Sequence, residues 1–255
     1  MFTAQQYVKA ASLEEAYALN QKKSSAVLGG GCWMKMGKRR IGALIDLSGL
    51  GLDTIEETGE SFVLGAMVTL RQLETDARLK EAFGSGFADM TRHIVGVQFR
   101  NCATLGGSLY SRFGFSDVLT WLLALDCDVE LAGAGVMPLA QYAAMPYDRD
   151  ILARVIVRKT GRKAVYESFR NTETDIPVLT CAASSLEGNL RLVIGGRPMR
   201  ALTVEGLSLS DPMETIAEKA QSLPFGSNMR ASAEYRRHLA GVLAKRAVNR
   251  LREVE

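Results

Sequence analysis

A nine-residue stretch with almost no bulky side chains, Arg100–Ser108, places the strongest constraint on how this chain can fold. It contains the pair Gly106-Gly107 and a small hydroxyl residue, Thr104. Paired glycines let the backbone approach another group closely and adopt positive φ values. Successive N–H groups in such a turn can bind an anion such as phosphate. An isolated glycine pair is more often an ordinary turn, so the anion-binding interpretation depends on a second cluster elsewhere.

Another glycine cluster, Gly29-Gly30-Gly31, follows the short apolar run Ala26-Val27-Leu28. This run predicts a buried strand that leads into a loop. The cluster is not a Rossmann fingerprint, because Met34 stands where the third glycine is required, and it is not a P-loop, because no Gly-Lys-Ser/Thr follows. The two loops, about 75 residues apart, therefore predict a ligand with two phosphates, held between two subdomains mainly by backbone amides.

The charge and hydropathy of the chain exclude several classes of function. The 255 residues include 31 basic and 28 acidic side chains, and the net charge of +3 does not indicate a nucleic-acid-binding surface. No apolar run approaches the ~20 residues of a membrane-spanning helix, and the N-terminal residues lack the apolar region of a signal peptide. We therefore expect a cytoplasmic protein with no membrane span and no nucleic-acid partner.

The cysteines do not indicate a metal site. The chain has four, at positions 32, 102, 127 and 181, without a C-x-x-C pair, and its only histidines are His93 and His238. We therefore expect no zinc or iron–sulfur site held by this chain alone, and no disulfides. Cys32 and Cys102 lie inside the glycine-rich clusters, where they are either small space-filling residues or, less commonly, reactive thiols.

The order of predicted elements indicates a mixture of helices and strands. Ser12 and Glu15 form a predicted capping box for a first helix, and Thr69 is the predicted N-cap of another. Further helices are predicted at about Gly86–Val95 and at Ser116–Leu125. Strands are predicted at residues 26–28, 43–47, 54–57, 61–66, 128–131, 151–158, 164–170, 178–185 and 190–195.

The last third of the chain is predicted to contain a hairpin and two helices. Glu187-Gly188-Asn189 is the clearest hairpin turn in the sequence. Asp211 is the predicted N-cap of a helix with Pro212 at its first position. The terminal segment, Ser232–Val254, has the amphipathic pattern of a long helix. Its arginines are interpreted as a solvated helix face rather than as a nucleic-acid-binding surface.

Three ordered stretches resemble the signatures of one known family. Val95–Ser108 is similar to the pattern VGxxQIRNxATIGGN, and Ser116-Asp117 with the following Leu122–Asp126 is similar to SDxxPxLLALDA. Ser232–Leu239 resembles the SAEYRRHL that opens the last helix of that family. On these stretches the chain resembles the FAD-binding, medium-sized subunit of the molybdenum hydroxylases, of the xanthine dehydrogenase and carbon monoxide dehydrogenase type. The resemblance covers essentially the whole chain.

The resemblance implies a fold of the α+β class. We expect a two-subdomain α/β FAD-binding domain of the PCMH or vanillyl-alcohol-oxidase-like type at residues 1–150, with subdomains at about 1–52 and 53–150. A C-terminal domain of antiparallel strands and helices would follow at residues 151–255. The change of character that the sequence shows near Ile151 agrees with this division.

The resemblance also implies a function. Substrate would be oxidised at a molybdopterin centre on one partner subunit, and electrons would pass through iron–sulfur clusters on another. The FAD of this flavoprotein subunit would transfer them to NAD⁺, a quinone or another acceptor. Such a subunit needs no general acid or base of its own, because the cofactor carries the electron transfer. We therefore predict no catalytic residue and no metal ligand in this chain.

The residues that match the family's FAD-binding positions fall in five places. In the first loop Cys32 and Trp33 stand where the family usually has Thr and Asp, which removes polar side chains but keeps the backbone amides. Near Arg170, Asp175 completes a match to the family's RxxxxDI. The predicted cofactor-binding residues are Leu28, Gly29, Gly30, Gly31, Cys32, Trp33, Met34, Ala103, Thr104, Leu105, Gly106, Gly107, Ser116, Asp117, Leu152 and Arg170.

Two alternatives stay open at this point. The aromatic residues Tyr110 and Phe113–Phe115 either stack on the flavin or pack beneath a loop. The altered pair Cys32-Trp33 also permits a different function, that of a non-flavin scaffold subunit that keeps the fold and docks partner subunits.

Overall fold

The computed structural model describes residues 1–254, and its mixture of helices and strands confirms the predicted α+β class. Within these residues the strands are β1 (Thr3–Lys9), β2 (Ala26–Leu28), β3 (Arg40–Asp46), β4 (Ile55–Glu57), β5 (Ser61–Gly65), β6 (Cys127–Leu131), β7 (Gly135–Pro138), β8 (Leu152–Arg158), β9 (Lys163–Phe169), β10 (Leu179–Leu186), β11 (Asn189–Gly195) and β12 (Leu202–Ser208). The helices are α1 (Leu13–Asn20), α2 (Leu70–Thr75), α3 (Ala77–Phe83), α4 (Gly86–Thr91), α5 (Val97–Arg100), α6 (Leu105–Tyr110), α7 (Asp117–Ala124), α8 (Leu139–Ala144), α9 (Met213–Gln221) and α10 (Ala233–Val254), and Met34–Met36 form one turn of 3-10 helix.

The chain forms two compact units, each assembled from separate stretches of sequence. The first unit comprises Met1–Gln72, Val97–Ser111 and Cys127–Arg158. The second unit comprises Leu73–Gly96, Arg112–Asp126 and the residues from Lys159 onward. The division into domains at residues 150 and 151, with subdomains meeting near residue 52, stays a prediction.

The first unit contains two sheets. In the smaller sheet β3 pairs in parallel with both neighbours, in the order β1-β3-β2. The larger sheet is antiparallel, in the order β4-β5-β8-β6-β7. Strand β1 is not predicted from the sequence, because its residues are almost all exposed and give no apolar signal. Strand β1 is therefore held in place by its backbone pairing with β3 and not by burial of its side chains.

A small apolar core positions the end of β2. It includes Ala16 of α1, Ile45 of β3 and Leu52, with Val27 of β2 packed against them. Full burial of an Ile or Leu side chain contributes about 1.5–3 kcal/mol. Helix α1 begins as predicted, since Ser12 Oγ accepts a hydrogen bond from Glu15 N at 3.2 Å. The core and this cap together fix the strand that leads into the first glycine cluster.

The second unit is built on an antiparallel sheet in the order β12-β11-β10-β9. The turn between β10 and β11 has φ values of +51° at Glu187 and +76° at Gly188. Positive φ at both central residues is the pattern of a type I′ hairpin, and the predicted hairpin is confirmed. The apolar core of this unit contains residues of the sheet, such as Leu192, together with Ile216 of α9 and Leu243 of α10.

Two helix boundaries differ from the sequence-based expectation. Helix α9 begins at Met213 rather than at Pro212, because Pro212 has the extended ψ of 142° and takes the N-cap position itself. Asp211 is not the cap and accepts a hydrogen bond from Ser208 N at 2.9 Å instead. Helix α4 ends at Thr91 rather than near Val95, whose φ of +52° does not continue a right-handed helix. By contrast, the predicted cap of α7 is confirmed, since Ser116 Oγ accepts from Leu119 N at 3.1 Å.

The arginines of α10 are not simply a solvated face, as the sequence had suggested. Arg236 is only 1% exposed. Its guanidinium donates to the carbonyl oxygens of Val178, Gly226 and Ala231 at 3.1, 2.8 and 2.7 Å, and to Asn228 Oδ1 at 2.6 Å. A buried guanidinium needs such acceptors, and the amphipathic pattern cannot show that loop carbonyls supply them. Arg236 therefore ties the start of α10 to the neighbouring loops.

Candidate functional site

The first glycine cluster along the chain, Gly29-Gly30-Gly31, is a left-handed turn at the carboxyl end of β2. Gly30 and Gly31 have φ values of +73° and +72°, which residues with a Cβ rarely adopt. Within residues 1–254 no acceptor is found for the N–H groups of Gly29, Gly30 and Gly31. Gly31 is buried and the other two are partly buried. Consecutive unpaired N–H groups in a turn of this kind form an anion-binding concavity.

The second glycine cluster along the chain, Ala103–Gly107, packs directly against the first. A Cβ on Gly30 would overlap the carbonyl oxygen of Cys102, and one on Gly107 would lie 2.9 Å from the carbonyl oxygen of Gly29. A Cβ on Gly29 would meet Thr104 Oγ1 at 3.2 Å. The two clusters are thus brought together as predicted, and the first unit contains both of them. Their contact depends on the absence of side chains.

The N–H groups of the second cluster are already used within the protein. Leu105 N donates to Val68 O and Gly106 N to Ala66 O, both at 2.8 Å. Gly107 N donates to Thr104 Oγ1 at 3.2 Å, which makes Thr104 the N-cap of α6. The segment is therefore a short capped helix and not the open loop that its glycine content suggests. Its backbone holds the first cluster in place but has few donors left for a ligand.

The predicted residue Leu152 belongs to the same backbone framework. It lies in β8, and the carbonyl oxygen of its neighbour Ala153 accepts from Ala66 N at 2.8 Å. Ala66 O in turn accepts from Gly106 N. Strand β8 therefore positions the second glycine cluster through two successive backbone hydrogen bonds.

The unusual residues Cys32 and Trp33 follow the first cluster. Cys32 is half-buried, and burial together with the nearby Cys102 raises the pKa of its thiol, while the charge of Lys35 opposes that rise. A raised pKa keeps the thiol protonated, which favours the space-filling interpretation over a reactive thiol. The Trp33 side chain is 48% exposed, and Met34 begins the 3-10 turn.

The remaining predicted residues form a charged cluster in the second unit. Asp117, at the start of α7, is buried, and its Oδ1 accepts from Tyr166 Oη and from Arg170, both at 2.5 Å. Arg170 also donates to Ser168 Oγ and to Asp175 O, at 2.5 and 3.0 Å. Burial raises the pKa of Asp117, whereas the guanidinium of Arg170 and the hydroxyl of Tyr166 oppose that rise. Burial and Asp117 also raise the pKa of Tyr166, so its hydroxyl stays a donor.

Comparison with known proteins decides the family. A family model described as the FAD binding domain in molybdopterin dehydrogenase matches residues 2–160, more than half of the chain.

The chain belongs to this family.

Two relatives and one solved structure place this member more closely. The chain is 28% identical to the nicotine 6-hydroxylase medium subunit of Paenarthrobacter nicotinovorans, covering 95% of each chain. It is 26% identical to the glyceraldehyde dehydrogenase medium chain of Sulfolobus acidocaldarius, covering 94% of this chain and 96% of the relative. The fold matches a chain of the reconstituted CO dehydrogenase from Oligotropha carboxidovorans with a TM-score of 0.87 at 23% identity, covering 98% of both chains. The protein is thus a flavin-binding medium subunit of the molybdenum hydroxylase type, and the predicted fold is confirmed.

FAD is the cofactor of this medium subunit, and the first glycine cluster suits its pyrophosphate. Three N–H groups without an acceptor would offer donors to phosphate oxygens. No acidic residue occurs between Glu15 and Asp46, so no side chain of that stretch repels an anion. When bound, FAD supplies the electron-transfer chemistry, and this chain's own residues bind and orient it.

Several residues of the medium subunit were missed from the sequence. The Tyr166 hydroxyl donates to Asp117, which also accepts from Arg170. The alternation of Tyr166 and Ser168 along β9, continued by Arg170 just after the strand ends, could have revealed that the three share one face. Arg250 of α10 donates to Glu167 at 2.5 Å and to Asp89 at 3.1 Å, which fixes α10 to this region. Phe113 and Phe115 stack on each other, with ring centroids 5.0 Å apart. The two alternatives for these rings, stacking on the flavin or packing beneath a loop, stay predictions.

Among residues 1–254, none of the helices combines the length and the apolar character that a membrane-spanning segment requires. Residues 1–254 also contain no group of three or more His, Cys, Asp or Glu side chains arranged to hold a metal ion.

Proposed function

We propose that this medium subunit passes electrons from iron–sulfur clusters on a partner subunit to NAD⁺ or another acceptor. The substrate would be oxidised at a molybdopterin centre on a further partner. Membership of the FAD-binding family and the named similarity to two medium subunits support the proposal. A cytoplasmic location is part of the same proposal.

The observation that carries the proposed FAD site is the row of unpaired N–H groups at Gly29–Gly31. We infer that these groups bind the pyrophosphate of FAD. Hydrogen bonds to charged acceptors are roughly twice as strong as those between neutral groups. The second cluster, Ala103–Gly107, holds the first in its left-handed conformation through the close contacts of Gly30 and Gly107. Side-chain changes at Cys32 and Trp33 then leave the main donors unchanged.

The charged cluster contributes in a different way. Asp117 is held by two donors and is 7% exposed in its side chain, and Arg170 is 6% exposed. We propose that the cluster ties the start of α7, where Ser116 and Asp117 lie, to Arg170, which directly follows β9. Their contacts with the flavin remain predictions from the family signature.

Purification of the chain alone and together with its iron–sulfur and molybdopterin partners tests the proposal. We expect about one FAD per chain, flavin reduction when the complex receives substrate, and reoxidation by NAD⁺ or by another acceptor in a panel that includes quinones. A well-folded protein that binds no FAD at micromolar concentration, even in the complex, would contradict the proposal. If that colourless protein still co-purified with the iron–sulfur subunit, the scaffold function would replace it.

A further inference from the structure

Lys35 lies against the first glycine cluster. Its N–H donates to Gly31 O at 3.0 Å. Its Cε lies 4.0 Å from the position that a Cβ on Gly31 would occupy. The aliphatic part of the side chain therefore runs alongside Gly31, so the ammonium group is carried close to the unpaired N–H groups.

The ammonium of Lys35 has no carboxylate to neutralise it. Among residues 1–254 it makes no ion pair and no hydrogen bond. The stretch from residue 16 to residue 45 contains no Asp or Glu. The charge of Lys35 lies close enough to the loop to oppose the rise that burial causes in the pKa of the Cys32 thiol.

We propose that the ammonium of Lys35 binds a phosphate oxygen of the FAD pyrophosphate that is held by the N–H groups of Gly29–Gly31. This inference rests on the proposed FAD site and adds a side-chain contact to it. A lysine ammonium is a compact charge with three donors. Lysine is a common partner of phosphate groups that are otherwise bound by backbone amides.

This contact explains how the chain can do without polar side chains at Cys32 and Trp33. The Cys32 thiol is only a weak donor and acceptor, and the Trp33 indole offers a single N–H donor and no charge. Because Cys32 and Trp33 carry no charge at neutral pH, Lys35 adds the only charge from residues 29–37. The loop then presents three neutral donors and one cation to a diphosphate with two negative charges.

If Lys35 binds the diphosphate, its contribution to affinity should appear with FAD but not with a flavin that lacks phosphate, and it should fall as ionic strength rises. Riboflavin carries the same ring without phosphate, so its binding should not depend on Lys35. Surface electrostatic interactions weaken as salt rises, because the Debye length falls from about 10 Å at 0.1 M to about 3 Å at 1 M. The contribution of Lys35 should therefore be largest at low salt.

The test is a titration of flavin-free full-length chain with FAD and with riboflavin, for the wild type, Lys35→Met, Lys35→Arg and Lys38→Met. Lys38 is an exposed lysine of the same basic stretch and serves as the matched control. We expect Lys35→Met to weaken FAD binding about tenfold at low salt, equivalent to about 1.4 kcal/mol, and to flatten its salt dependence. Lys35→Arg should retain most of the affinity, and Lys38→Met should bind like the wild type. Riboflavin should bind all four proteins alike.

The outcomes separate this inference from the proposed function. If the wild type binds no FAD, the proposed function fails. If the wild type binds FAD and Lys35→Met binds it equally well, the inference is overturned while the FAD site stands. Equal losses in Lys35→Met and Lys38→Met would also overturn it, because they would show a diffuse effect of the basic stretch. Unchanged thermal midpoints across the four flavin-free proteins show that folding is not the cause.

Discussion

The glycine clusters of the first unit and the charged cluster of the second unit both coincide with family signatures, yet they use opposite chemistry. In the first, close backbone contacts require that side chains be absent, and the donors are main-chain N–H groups. In the second, the side chains of Asp117, Tyr166 and Arg170 are buried and bonded to one another. The glycine clusters and the charged cluster therefore tolerate different substitutions. Adding a Cβ should damage the first region, and removing a side chain should damage the second.

The largest effect is expected when the charged cluster loses its carboxylate. Asp117→Ala leaves the guanidinium of Arg170 buried without its partner, and removal of one member of a buried ion pair costs roughly 3–5 kcal/mol. Urea unfolding of the full chain measures this loss. The double variant Asp117→Ala with Arg170→Met should lose less than the single variant, because no unpaired charge stays buried. If Asp117→Ala lowered the free energy of unfolding by less than about 1 kcal/mol, the Asp117–Arg170 pair would behave as a solvent-exposed ion pair.

The next effect concerns the addition of a Cβ to the first glycine cluster. Gly30→Ala places a methyl group against the Cys102 carbonyl and imposes a left-handed conformation, so we expect a loss of roughly 2–5 kcal/mol in stability and at least a tenfold loss of FAD affinity. Gly31→Ala shares the positive φ, but its nearest neighbour is the flexible Leu28 side chain at 3.3 Å. It should cost only about 1–2 kcal/mol.

The matched control for these glycine variants is Gly59→Ala. A Cβ at Gly59 meets no atom within 4 Å, and its φ is not in the left-handed range. This variant should bind FAD and unfold like the wild type. If Gly30→Ala resembled the control, the close contact between the two glycine clusters would not exist in solution.

A smaller effect is expected at the cap of α6. Thr104→Ala removes the oxygen that accepts from Gly107 N, and loss of an N-cap costs about 1 kcal/mol. Thr104→Ser keeps the hydroxyl and should recover most of that stability. Thermal unfolding of the two variants side by side gives the comparison, and equal midpoints would contradict the capping role.

The smallest effect is expected for a side chain of the first loop itself. Cys32→Ser leaves every backbone donor in place, so we expect a stability change within about 0.5 kcal/mol and a nearly unchanged dissociation constant for FAD. A flavin titration measures the latter. A tenfold weaker affinity would mean that the Cys32 side chain, rather than the backbone, carries recognition.

The sequence predicts some of these features better than others. The helix caps Ser12, Thr69 and Ser116 can be predicted from the sequence, because each cap depends on residues within one turn of its helix. Helix α6 cannot be predicted from the sequence, because Gly106 and Gly107 are poor helix formers. The helix forms because Thr104 caps it. Glycine is needed at position 106 because a Cβ added there would lie only 2.8 Å from the Cβ of Ala66.

Long-range partners set the limit of prediction for the site. The glycine clusters could be paired from the sequence, because both suggested an anion. The sequence could not show that only the first cluster has N–H groups free for a ligand. The N–H groups of the second cluster are used by the carbonyl oxygens of Ala66 and Val68, and these contacts appear only in the fold. The same holds for Tyr166, whose partner Asp117 lies 49 residues away.

The central claim is that Gly29–Gly31 bind the FAD pyrophosphate through N–H groups, while residues 105–108 support them. Amide hydrogen exchange of the full chain, with and without FAD, tests this directly by comparing peptides that cover the two segments. We predict fast exchange at Gly29–Gly31 in the flavin-free protein and strong protection on adding FAD. Leu105–Ser108 should be protected already and change little. Protection gained mainly at Leu105–Ser108, with Gly29–Gly31 unchanged, would contradict the account.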